Sequence, residues 1–321
     1  MTIMPVELAL DEFIDFPVDG ITDNSTTDFE LFLKVSDHCV LYGGSGYKWY
    51  RRELTDLLRH GIDQFLIRPE DCGRAEMYRQ LAQLPLLEKN LAPKERIVRI
   101  EQIGAEFTRC LYNGEITDAC VAKANDLAES MVDCIAEDPS CIQELTGLAD
   151  HDYYTYVHSI RVGAYTAAVA IEMGLTDHRR LQEIALGGIM HDIGKKEVPI
   201  EVINKVGALT DIEWDQMRSH PSEGAKLLDH SLLSMVPKEI ILHHHEKLDG
   251  SGYPDGLQES GLLVEVQIAT LADVFDALTS SRSYQQKRSR FEALDFMRHK
   301  MVGDKLAKEP FRALVACLVS E

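Results

Sequence analysis

The chain has 321 residues, 45% of them hydrophobic and 27% charged, which excludes a disordered, fibrous or collagen-like protein. Its net charge is −20, from 53 acids against 33 bases. Polymeric nucleic acid and anionic membrane surfaces are bound largely through cations, so neither is the general partner of so acidic a chain.

No apolar run reaches the ~20 residues of a membrane span. No Lys or Arg precedes Lys34, which argues against a secretory signal with a basic start. The expectation is a cytoplasmic protein. The seven cysteines are scattered and lack any CxxC pair, so reduced thiols are expected rather than a disulfide framework or a zinc ribbon.

Residues 1–27 are acidic, carry Pro5, Pro17 and Gly20, and read as a loose leader. Glu30–Ser36, His38–Tyr42 and Asp63–Arg68 have the aromatic and β-branched content of strands. Between them, Arg51–His60 places Leu54, Leu57 and Leu58 on one helical face, and Gly61 stops it. The run Gly43-Gly44-Ser45-Gly46 is a hairpin connection; a phosphate-cradling loop needs a following Lys-Ser/Thr, which Tyr47-Lys48-Trp49 does not supply. These elements predict a small α+β module over 1–93.

From Lys94 the period becomes helical, with Ile97, Ile100, Ile103, Phe107 and Leu111, and then Leu127, Met131 and Ile135 after the break at Asn113-Gly114. We read 94–140 as a helical linker. Its repeat is not a sustained heptad, so packing on the next domain is favoured over a coiled rod. Residues 141–321 read as a helical bundle, with helices near Val157–Met173, Leu181–Met190, Lys238–His245, Ile268–Thr279 and Phe291–Val302, and another opened by Thr210-Asp211. The fold class is therefore mainly α, an all-helical C-terminal bundle with a small N-terminal α+β module.

Ten of the twelve histidines lie at or after His151. His158, His191-Asp192, His220, His244-His245, Asp273 and Asp276 are separated by about one helix plus a loop. In a bundle, such spacing lets successive helices aim one ligand each at a shared centre. Val157-His158-Ser159 and Met190-His191-Asp192 set polar groups in apolar stretches, which is costly unless they are paired or bound to a metal. Imidazole with carboxylate suits Fe, Mn, Zn or Ni.

Two strings carry a resemblance. His191-Asp192-Ile193-Gly194-Lys195 matches the HD signature, and the eleven residues from His244 to Pro254 match HHExxDGxGYP. His158, Asn204-Lys205, His220-Pro221 and the stretch Ala272–Thr279 fall in the expected order. Over about residues 150–300 the chain resembles the HD-GYP subgroup of the HD phosphohydrolases.

That resemblance implies a bacterial cyclic-di-GMP phosphodiesterase, giving pGpG with onward cleavage to GMP left open, and two divalent metals, Fe or Mn, that hold a bridging hydroxide. One metal would take His158, His191, Asp192 and Asp273; the second would take Asp192, His220, His244 and His245. Some members hold a third metal through a glutamate four residues before the first histidine, where this chain has Tyr154. Asp192 and Lys195 are then the expected catalytic pair, and Lys205, Gly252, Tyr253, Asp276 and Arg282 the expected substrate contacts.

The chain departs from the family pattern at Val206, Leu263, Gln267, Ser283 and Gln285, the last costing one cation near the substrate. These departures leave two other readings: a catalytically weak cyclic-dinucleotide receptor, or a phosphodiesterase for mixed cyclic GMP-AMP. The N-terminal module lacks the RxxxR pattern of a PilZ receptor; by its position it is expected to regulate, through a signalling partner or a homodimer.

Overall fold

The computed structural model describes residues 5–6, 13–36, 38–81, 91–114, 116–145, 154–231, 233–280 and 288–319. The chain divides into two compact units, Met1–Pro85 and Leu86–Glu321.

The first unit holds strands β1 (Pro5–Val6), β2 (Ile14–Pro17), β3 (Leu31–Val35), β4 (His38–Gly43) and β5 (Gln64–Ile67). Their order is β1-β4-β3-β5-β2, with every pairing antiparallel. In place of the expected loose leader, residues 14–17 form an edge strand: Ile14 pairs with Ile67 and Pro17 with Gln64. The cause is burial, because Phe16, Val18 and Ile21 join Phe29, Trp49 and Phe65 in one apolar cluster. Helix α1 (Arg51–Arg59) adds Leu54 and Leu57 to that cluster, while Leu58 stays exposed. A second helix, α2 (Cys72–Leu81), was not anticipated; it begins after Pro69 and buries Ala75 and Tyr78.

The second unit is helical. Its elements are α3 (Pro93–Asn113), α4 (Asp118–Glu137), α5 (Tyr154–Glu172), α6 (His178–Met190), α7 (Ile200–Ile203), α8 (Asp211–Arg218), α9 (His220–Leu227), α10 (Met235–His243), α11 (Val264–Thr279), α12 (Arg290–Lys300) and α13 (Lys308–Val319). The caps follow the residues expected to satisfy free backbone N–H groups. Thr117 accepts from Cys120, Asp177 from Arg180, and Thr210 forms a reciprocal box with Glu213.

α5 is the central helix, packed against α3, α4, α6, α11 and α13. Residues 94–140, read as a linker, are the two helices α3 and α4, which bury Ile97, Ile100, Ile103, Phe107, Leu111, Leu127, Met131 and Ile135 within this unit. α5 and α6 cross closely: a Cβ on Gly188 would lie 2.7 Å from the Cα of Gly163. This approach brings the start of α5 and the end of α6 to one place, and those are the segments that carry His158 and His191-Asp192.

Candidate metal centre

His158 sits in the second turn of α5, and Asp273 in α11. His191-Asp192 and His244-His245 follow the last residues of α6 and α10, while His220 opens α9. Helix ends are useful here because the chain leaves the helix with freedom to aim two successive side chains at one point.

The seven side chains form two adjoining groups. Asp192, His220, His244 and His245 offer ligand atoms all within 4.8 Å of one another, and so do His158, His191 and Asp273. Asp192 lies between them. Its Oδ1 is 3.2 Å from Nε2 of His220 and 3.8 Å from Nε2 of His244. Its Oδ2 is 3.2 Å from Nε2 of His191 and 3.6 Å from Nε2 of His158. Nε2 of His158 is 3.2 Å from Oδ1 of Asp273, and Nδ1 of His245 is 3.7 Å from its Oδ2.

Backbone carbonyls set which ring nitrogen faces the centre. Nδ1 of His191 donates to the Gly188 carbonyl at 2.7 Å, Nδ1 of His220 to Met217 at 2.6 Å, and Nδ1 of His244 to Ile241 at 3.0 Å. A carbonyl only accepts, so the proton sits on Nδ1 and Nε2 presents a lone pair inward. Nε2 of His191 and Oδ1 of Asp192 are buried with no well-formed hydrogen bond among the described residues. Leaving such atoms unsatisfied is costly; divalent cations would satisfy both. The donor set fits Fe, Mn or Zn.

The electrostatics agree. Burial opposes ionisation of Asp192, yet the neighbouring His191, the Lys195 ammonium and His220 hold its carboxyl well below the usual range. Asp273 is likewise held low against burial, first by the adjacent His158. Burial, with His245, His191 and His220 as neighbours, keeps His244 neutral well below its usual range. Burial also pushes His245 down to about 3, despite the Asp273 carboxylate. Asp192 and Asp273 are thus ionised and His244 and His245 neutral, the forms in which carboxylate and imidazole bind metals.

The centre opens on one side. Six of the seven side chains are almost fully buried, while His245 keeps 26% of its side-chain surface. Tyr253 lies against it, ring centroids 4.7 Å apart. Burial, with the charges of Asp273 and Asp192, raises the Tyr253 phenol, so it stays a hydroxyl donor. Gly252 turns tightly beneath; a Cβ there would lie 2.6 Å from the His245 carbonyl oxygen.

Other expected residues are placed less directly. Lys195 donates to Oδ2 of Asp192 at 2.5 Å. Lys205 is engaged with Glu213 at 2.5 Å. Asp276, expected against substrate, is instead buried behind His158 and accepts from its Nδ1 at 2.8 Å. The reason is register: Asp276 is three residues after Asp273 on α11, one turn further along the same face. Arg282, with Ser283 and Gln285, lies outside the described residues.

Three residues escaped the sequence reading. Glu246 is buried and accepts from the backbone N–H groups of Asp255, Gly256 and Leu257 at 2.7, 2.9 and 3.1 Å, holding the loop after Tyr253. Its signal was visible, an acid fixed within the motif string. Arg218 sets its guanidinium 5.9 Å from the Tyr253 ring centroid. Tyr112 of α3 donates to the Asp192 carbonyl at 2.7 Å, tying a helix read as linker to the centre.

The model of a protein family described as "HD domain" matches residues 143–306. A cyclic di-GMP phosphodiesterase of Pseudomonas aeruginosa is 38% identical over 174 residues, 54% of this chain and 42% of that protein. A 3'3'-cGAMP-specific phosphodiesterase of Vibrio cholerae is 35% identical over 162 residues, 50% of this chain and 37% of that protein. The chain thus spans well under half the length of these curated relatives. Among solved structures, an HDG"Y"P protein of Bdellovibrio bacteriovorus, Bd1817, shares the fold with a TM-score of 0.64 at 18% identity, covering 94% of this chain and 98% of that one.

Proposed function

The chain belongs to the HD domain family, and from that premise we propose that it is a metal-dependent phosphodiesterase that opens cyclic-di-GMP to pGpG. The observation that carries this reading is Asp192, which turns one carboxylate oxygen toward each of two ligand groups.

His158, His191 and Asp273 with Asp192 would hold one divalent cation, and Asp192, His220, His244 and His245 the other, with Fe or Mn as the proposed metals. When bound, such a pair supplies a nucleophile from water at neutral pH and neutralises charge developing on the phosphodiester. The protein's own part is orientation and proton placement. The Nδ1 bonds of His191, His220 and His244 hold the imidazoles in one tautomer. Lys195, beside Asp192, is positioned to give a hydrogen bond or proton to a phosphate or leaving-group oxygen. Tyr253, on the open side, offers a ring to a guanine and a hydroxyl to phosphate. Gly252 lets the loop approach, and Lys205 and Arg282 are proposed as further phosphate contacts.

The relatives support this substrate class. One is named for cyclic di-GMP, and its 38% identity lies close to the 35% of a relative named for 3'3'-cGAMP. Mixed cyclic GMP-AMP is therefore the second reading. Side-by-side hydrolysis of the two dinucleotides by the purified chain separates them: faster cleavage of cyclic-di-GMP is expected, and a preference for the mixed dinucleotide would reverse the assignment. Binding with no turnover of either, under Fe or Mn, would favour a receptor.

Residues 1–93 are proposed as a regulatory module that engages a signalling partner or a second copy of the chain. No helix among the described residues is long and apolar enough to cross a membrane; a cytoplasmic location is part of the same proposal.

A further inference from the structure

We propose that a cavity between the end of α11 and the start of α12, separate from the metal centre, binds a single phosphate group. The cavity measures about 230 Å³, and its wall includes Arg161, Arg288 and Arg290 together with Tyr165, Thr279 and Ser289. Three guanidiniums around one cavity repel each other unless something negative sits among them.

The acids at hand neutralise one of the three. Arg161 is paired with Glu101 at 2.5 Å. Arg290 donates to the Gln143 carbonyl at 2.6 Å, which carries no charge. Arg288 stacks 4.2 Å from the centre of the Phe296 ring, and its Nη1 is buried with no hydrogen bond among the described residues. Nearby carboxylates are committed elsewhere: Asp276 accepts from His158 and Ser280, and Glu292 caps α12 through Ser289. Arg288 and Arg290 therefore form no salt bridge among the described residues, Glu292 reaching Arg288 only through its charge, in a chain whose net charge is −20.

The chemistry selects the ligand. Tyr165 gives its hydroxyl proton to the Leu145 carbonyl and Thr279 to that of Phe275, which leaves the guanidiniums as donors. Guanidiniums favour anions with several oxygens that accept paired bonds. A phosphate carries close to two charges at neutral pH, matching two arginines held in no salt bridge among the described residues. The space is below the ~300–1,000 Å³ of pockets for drug-sized ligands, so it suits a phosphate group rather than a dinucleotide. The site is also distinct from the metal ligands, although Arg161 is one turn past His158 on α5 and Thr279 one turn past Asp276 on α11.

The test is calorimetric titration of the full chain with inorganic phosphate, at fixed ionic strength set with sodium chloride. Four proteins are compared: wild type, Asp192→Asn, Arg288→Met and Arg290→Met. Methionine keeps an apolar contact with Phe296, and Arg290→Met removes a bond to a neutral carbonyl, so a second fold-sparing variant is in hand. A common site is expected in wild type and Asp192→Asn, weakened about ten-fold or more by either arginine substitution, the loss of one charge-assisted bond. Wild-type affinity in both arginine variants would overturn the proposal. So would loss of all phosphate binding in Asp192→Asn, which would place the anion at the metal centre, or no binding by the wild type at millimolar phosphate.

Discussion

His158 and Asp276 are joined by a hydrogen bond, Nδ1 to Oδ2 at 2.8 Å, across 118 positions of sequence. The bond points Nε2 of His158 at Asp273 and Asp192. Carboxylates behind ligand imidazoles typically contribute about 10–100-fold in metal affinity. Asp276→Asn is expected to weaken Mn binding within that range and to regain turnover at high metal. A Mn titration of activity checks this, and an unchanged half-saturation would show that the bond orients nothing.

Glu246 satisfies three backbone donors at once. In Glu246→Ala those donors lose a buried, charged acceptor, at a cost of about 3 kcal/mol on the scale of 1–3 kcal/mol per orphaned group. The loop that positions Tyr253 loosens as well. A lower urea midpoint and a raised KM are both expected; Glu246→Gln, which keeps one accepting oxygen, should lie between.

Gly194 allows the turn after Asp192 to touch α9. A Cβ there would meet the His220 carbonyl oxygen at 1.9 Å and the Gly224 nitrogen at 2.4 Å, both rigid backbone. Gly194→Ala must push His220 away from Asp192. Metal content should fall and activity should drop by more than about ten-fold, since small displacements at reacting centres are costly. Elemental analysis beside far-ultraviolet circular dichroism separates this from unfolding.

Glu213 bears on pH. Its bond from Lys205, then those from the Thr210 backbone and hydroxyl, lower it to about 2. A depressed folded value means its stabilisation is complete above the ordinary ~4.3 and is lost as pH falls toward about 2. Carboxyl NMR of the Glu213 side chain should show that low midpoint, and Lys205→Met should raise it. If Lys205 also contacts substrate, it must leave Glu213 to do so. Glu213→Gln should then lower KM.

The helical unit was legible because its signals are long and redundant. Over α3 and α5 the apolar period repeats for several turns, and Thr210 with Glu213 marks a start that the structure reproduces as a reciprocal cap. The ligand set was legible as residue types in order, since His191-Asp192 and the string from His244 to Pro254 are specific. What they do not encode locally is direction. The role of Asp276 follows from its register on α11, and that of Glu246 from a loop that folds back over it. β2 was hidden because four residues in an acidic, proline-bearing stretch carry too little pattern; only pairing with β5 and burial of Phe16 make it a strand. The helical period of α3 marks its packing face but not the reach of Tyr112, whose hydroxyl meets the Asp192 carbonyl.

The most direct test measures metal content and cyclic-di-GMP cleavage on one anaerobically purified sample, for the wild type and for Asp192→Ala. Two Fe or Mn ions per chain with pGpG formed by the wild type, and both metal and turnover lost in the variant, is the expected result. Cleavage at the wild-type rate by Asp192→Ala, or by chain stripped of metal, would contradict the account.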